Sequence, residues 1–189
     1  MRRLIALALS AGLFLTSGYY VSAQGRVRQH GRAIDEYRSP DVTAVAAYEY
    51  SQRNHDGAWV LIKFAVVTKE RIAFHRDQFS LVRPDERRVP LATQQMFIDD
   101  QPVLTRLLQN AAIWRRPLDS YFRTRPQPTI RFFSTPGRAI VHDSAVSNQD
   151  EVAAGDLFFK SPDGKWDPGT HRLVLNHEKA KAELPIRLE

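Results

Sequence analysis

Apolar residues in this chain fall mostly at every second position, in short runs separated by turn residues, and that period predicts strands. The strongest run is Trp59 to Thr68. Val60, Ile62, Phe64 and Val66 form one face, and Trp59, Leu61, Ala65 and Val67 form the other, broken only by Lys63. Apolar side chains on both faces mark a central strand covered on both sides. Upstream, over 42–51, Val42, Ala44, Ala46, Tyr48 and Tyr50 alternate with Thr43, Val45, Ala47, Glu49 and Ser51. The β-branched and tyrosine content favours a strand there, while Ser39-Pro40-Asp41 ahead of an alanine-rich run also suits a helix start. The turn Asn54-His55-Asp56-Gly57 between the two runs makes them a candidate hairpin.

Shorter runs follow at Ile72 and Phe74, at Phe79, Leu81 and Val82, and at Val89-Pro90-Leu91, where Pro90 argues for a sheet edge because it cannot donate to a ladder. One helix interrupts the pattern near 101–116. Asp99 or Asp100 suits its N-cap, Pro102 its first turn, and Leu104, Leu107, Leu108 and Ala111 its apolar stripe, with Arg115 and Arg116 at the negative end of its dipole. Strand signals at Tyr121-Phe122 and at Thr129 to Phe133 are short, and Arg138 to Gly155 reads as polar loop. The end of the chain is clearer: a strand at Leu157 to Lys160, a turn at Ser161-Pro162-Asp163-Gly164, a strand with Leu173 and Leu175 on one face, and a last hairpin turning at Asn176 to Lys179. Short strands punctuated by turns about every ten residues suggest a β-sandwich.

The first 23 residues change the picture of where such a domain works. Arg2 and Arg3 precede an apolar run from Leu4 to Leu15 and a small-residue exit at Val21-Ser22-Ala23, the order found in a secretory signal peptide cleaved after Ala23. Twelve apolar residues are short for a membrane span, which needs about 20. The chain has no cysteine, so a lipid attached at the cleavage site, disulfides and thiolate metal ligands are all excluded. Removing residues 1–23 leaves 166 residues and lowers the formal charge from +6 to +4, since two arginines and no acid are lost. That length predicts one domain with one core, over 41–189. Residues 24–40, polar and arginine-rich, read as a flexible basic leader.

Trp166-x-Pro168-Gly169-x-His171-x-Leu173-x-Leu175 resembles the W-x-P-G-x-Y-x-L-x-L signature of immunoglobulin-like sandwiches in bacterial envelope proteins, with His171 in the tyrosine position. Phe79-Ser80-Leu81-Val82-x-Pro84-Asp85 resembles the F-x-L-x-D-x-x-G step of secreted domains of unknown function with that fold. The resemblance implies a mainly β, immunoglobulin-like β-sandwich with one inserted amphipathic helix. It implies no reaction, because sandwiches host many functions. In that family the tyrosine after Pro-Gly bonds back to the backbone at a corner, so His171 implies an altered corner.

No catalytic or metal motif stands out, and no cofactor is expected. His30, His55, His75, His142, His171 and His177 lack metal-ligand spacing, although His171 and His177 flank a predicted hairpin turn that could bring them together. His142-Asp143-Ser144 has the residue types of a catalytic triad, but sequence neighbours point apart in an extended chain and no G-x-S-x-G elbow presents the serine. Asp99-Asp100 is read as helix capping, and the acidic turn Asp163 to Asp167 as a hairpin connection. The stretch from Arg115 to Arg138 holds six arginines, no lysine and a single acid, Asp119, with aromatic residues interleaved. Arginine forks suit phosphate, sulfate and carboxylate, so Trp114, Arg115, Arg116, Tyr121, Arg123, Arg125 and Arg131 are the candidate ligand-binding residues. The competing reading buries the aromatics in the core and scatters the arginines in water. Three functions follow in order: a non-enzymatic binding or assembly module of the periplasm or cell envelope, with an envelope protein as partner; a binder of polyanions, acidic glycan or lipopolysaccharide through the arginines; and a hydrolase without a recognisable motif. Nucleic acid is a poor partner in that compartment.

Overall fold

The computed structural model describes residues 25–48, 55–112, 118–135 and 137–188. The expected signal peptide lies outside the described residues, as do Tyr50, Trp114, Arg115 and Arg116. Among the described residues the fold is mainly β, with several sheets and two α-helices. Its strands are β1 (Arg26–His30), β2 (Ile34–Arg38), β3 (Val42–Ala47), β4 (His55–Asp56), β5 (Trp59–Thr68), β6 (Ile72–His75), β7 (Phe79–Val82), β8 (Arg88–Pro90), β9 (Gln127–Ile130), β10 (Ser144–Ser147), β11 (Ala153–Lys160), β12 (Gly169–His177) and β13 (Ala180–Leu188); the helices are α1 (Gln94–Asp99) and α2 (Gln101–Ala112).

A seven-stranded sheet runs β1-β2-β3-β5-β11-β9, with β4 added on β5. A four-stranded sheet runs β13-β12-β7-β8, and β6 pairs with β10. Val42, Ala44 and Ala46 of β3, the Val60, Ile62, Phe64 and Val66 face of β5, Phe79 and Leu81 of β7, Leu173 and Leu175 of β12, and the alternate residues of β13 share one buried cluster. The two larger sheets therefore pack face to face. The other face of β5 is also buried, as the two-sided pattern requires. At one end Trp59 and Leu61 lie under Phe97, Leu104 and Leu107 of the helices, and at the other Ala65 lies under Leu118 with Tyr121 and Phe122 nearby.

Residues 42–47 form a strand that pairs antiparallel with β5, and Pro90 lies on the edge strand β8. The flexible-leader reading of 24–40 is corrected. β1 and β2 form a hairpin there, held by the β2 to β3 ladder and by an ion pair from the buried Asp35 to the partly exposed Arg187 of β13 at 2.8 Å. Composition hid this hairpin because β1 is almost wholly exposed and β2 buries two acids, Asp35 and Glu36. Burial pushes the Asp35 carboxyl up despite Arg187. Burial also pushes Glu36 up, but bonds from His30 (2.9 Å) and Arg38 outweigh it and hold that carboxyl below its usual range. The loop reading of 138–155 is likewise replaced by β10 and the start of β11.

The predicted helix is α2, preceded by α1, whose N-cap Thr93 accepts from the Met96 amide at 3.1 Å. The capping role expected of the Asp99 and Asp100 side chains does not hold. The Asp99 carboxylate accepts from the Gln95 side chain at 2.7 Å. Asp100 instead accepts from Trp59 Nε1 at 2.8 Å and pairs with Lys160 at 2.7 Å, which fastens the start of α2 to the ends of β5 and β11. Lys160 and Trp59 together hold the Asp100 carboxyl below its ordinary value.

Candidate functional site

Lys63 is the only polar break in the outward face of β5, and the structure gives that break a place. It lies between the two apolar patches that cover the sheet, one under the helices and one under Leu118. A groove of about 760 Å³ opens there. Phe97 and Leu108 of the helices, Phe158 of β11, the half-buried Phe133, Leu118, Pro126 and Ile130 make up its apolar lining. Lys63 and Asp156 are register partners on β5 and β11, their side chains 3.4 Å apart and each partly exposed at the bottom.

Backbone packing positions the rim. β9 runs parallel to β11 and approaches it so closely that a Cβ on Gly155 would stand 2.2 Å from the Ile130 carbonyl oxygen, so that position takes only glycine. The chain beyond β9 is clamped by the Gln94 side chain, which donates to the Ser134 carbonyl at 2.6 Å and accepts from its amide at 3.2 Å. The Arg131 carbonyl accepts the His142 amide at 2.9 Å. Arg125, Arg131 and Arg138 stand exposed on the groove.

Their charges are not equally engaged. Arg125 reaches Asp119 at 3.8 Å, and Lys63 has Asp156. Arg131 donates through Nε to the Pro128 carbonyl at 3.0 Å, and neither it nor Arg138 has a carboxylate partner among the described residues. Four cations thus face two acids in one concavity. Of the sequence candidates, the structure brings Arg125 and Arg131 together here. Arg123 is exposed but lies off the groove, and Tyr121 packs on the outer sheet face with its ring 4.8 Å from His30. Phe132 is fully buried in the core. Lys63, Asp156 and Arg138 were outside the candidate set. The isolated Lys63 and the Gly155-Asp156 pair within apolar strands are the signals that mark them.

The motif behind the family resemblance builds a second polar cluster, and it is closed. Arg83, 3% exposed, bonds Asp163 and Asp167, while Arg87 bonds Asp85 at 2.6 Å and Asp163 at 3.1 Å. Burial works against the Arg83 charge, but the two aspartates outweigh it and hold its pKa above the ordinary value. The acidic turn is therefore more than a hairpin connection, because it supplies both counter-charges. Trp166, the tryptophan of the motif, donates to the Ala58 carbonyl at 2.8 Å and meets the buried His171 ring edge-on at 5.4 Å.

His171 is fully buried, and its Nδ1 lies 3.3 Å from the Gly169 carbonyl, a contact made two residues back along the same strand. Burial and the nearby Arg83 push its pKa below the ordinary histidine value. A base depressed in the folded state stabilises the fold above its unfolded value and loses that contribution as pH falls. Wild type is therefore expected to lose stability as pH falls from about 6.5, the unfolded value, through the lower folded value, and H171F is expected to lose less over the same span. Denaturant melts at several pH values check this, and equal slopes would contradict it. His142 and Asp143 are exposed at the surface, and Ser144 pairs with His75 in the β10 to β6 ladder, so these three form no concave cluster with His171. Among the described residues no group of three or more His, Cys, Asp or Glu is placed to hold a metal, and no helix is long and apolar enough to cross a membrane. No protein-family model, curated protein or solved structure matches the chain.

Proposed function

We propose that this chain is an exported, non-enzymatic binding module of the cell envelope, cleaved after Ala23, and that its groove takes an acidic ligand. The observation that carries this reading is the pair Arg131 and Arg138, two guanidinium groups without carboxylate partners among the described residues, on the rim of a concave, partly apolar site. Arginine forks on such a rim favour carboxylate, sulfate or phosphate, and the apolar sides strengthen the attraction by excluding water. An immunoglobulin-like sandwich is the fold reading that accompanies it, supported by the two facing, largely antiparallel sheets and by the Trp166 to His171 contact.

The test is salt-sensitive retention on immobilised heparin and lipopolysaccharide. R131A/R138A is expected to weaken retention by about tenfold or more, since each charge-assisted bond contributes about 1.5–3 kcal/mol. Unchanged retention would mean that the groove does not bind the acidic ligand. Expression of the full chain in a bacterial host, followed by mass measurement of the exported product, is expected to give Gln24 as the first residue.

A further inference from the structure

The bottom of the groove differs in chemistry from its rim. Lys63 donates and Asp156 accepts, 3.4 Å apart, between apolar sides. A bare phosphate polymer gains from the rim but meets the Asp156 carboxylate below it. An alkyl chain would have to take an ion pair out of water with nothing to replace its hydrogen bonds, which is costly. A ligand with adjacent hydroxyl groups satisfies both members of the pair at once, and the apolar sides accept the CH faces of a sugar ring. Gln127, Ser134 and Thr135 add neutral polar groups along the same lining. Addition of a peptide strand to β9 is disfavoured, because Pro128 has no amide to donate and its carbonyl is taken by Arg131.

From this we infer that the groove is a subsite for one acidic sugar residue, its adjacent hydroxyls bonded by Lys63 and Asp156 and its acidic group held by Arg131 and Arg138. The inference rests on the acidic-ligand reading above and adds the sugar. A uronate and a sugar phosphate share this chemistry.

Binding of the full mature chain to oligogalacturonate, glucose 6-phosphate, inorganic polyphosphate and decanoate tests it. Wild type is expected to prefer at least one of the two sugars to polyphosphate and decanoate, and which sugar it prefers identifies the source of the acid. D156N is expected to lower the sugar-to-polyphosphate affinity ratio by about tenfold. If D156N fails to fold by thermal melting, K63Q/D156N removes both charges together and is read by the same ratio. An unchanged ratio, or polyphosphate or decanoate bound as tightly as the sugars, overturns the inference. Retention of polyphosphate through Arg131 and Arg138 without sugar binding overturns the sugar and leaves the acidic-ligand reading standing; retention of no anion overturns both.

Discussion

Replacing Arg83 with methionine is expected to cost about 1.5–3 kcal/mol, and replacing Asp163 and Asp167 together with asparagine about 3–5 kcal/mol. The asymmetry comes from where each charge lies. The Arg83 side chain is 2% exposed, whereas those of Asp163 and Asp167 are 41% and 51% exposed. Removing the arginine leaves two carboxylates that water can solvate, and methionine fills most of the vacated volume. Removing the aspartates leaves a guanidinium in the interior, with Asp85 at 4.0 Å as its nearest acid. A buried charge without its partner is the costlier defect. Urea melts at neutral pH should rank wild type above R83M and R83M above D163N/D167N. The reverse order would show that solvation of the acids, and not burial of the arginine, governs the cluster.

The second large effect is expected at Gly155. A methyl group there meets the Ile130 carbonyl oxygen at 2.2 Å and the Ile130 Cβ at 2.6 Å. Ile130 is 5% exposed and packed in the main core, so it has little room to retreat. G155A is expected to separate β9 from β11 and to cost about 1–3 kcal/mol, the range for overpacking. It should also weaken retention of acidic ligands although every groove cation is still present, because Arg131 follows β9 directly. Amide exchange over Gln127 to Ile130 would report the separation, and protection equal to wild type would contradict it.

The strands that pack by alternation were legible. β5, β12 and β13 bury the faces that their periods mark, because a two-residue repeat has only one way to face a core. β1 and β2 were not, since β2 buries Asp35 and Glu36, and what makes this tolerable is Arg187, 152 positions away from Asp35, together with His30 and Arg38. Arg83 and its aspartates were hidden for the same reason, being about 80 positions apart and joined only in the folded chain. The groove was half legible. Arg125 and Arg131 stood out by composition, but arginine content could not separate them from Arg123, which the backbone turns elsewhere. The better marker was Lys63, a single charge in an otherwise apolar strand, whose partner Asp156 is fixed by the β5 to β11 register.

The most direct measurement compares R123A with R131A/R138A for salt-sensitive retention on an immobilised acidic ligand. Arg123 lies outside the groove, and Arg131 and Arg138 line it. Retention near wild type is expected for R123A, and a loss of about tenfold or more for R131A/R138A. Equal losses per charge removed would mean that net charge alone attracts the ligand, and would contradict a site in the groove.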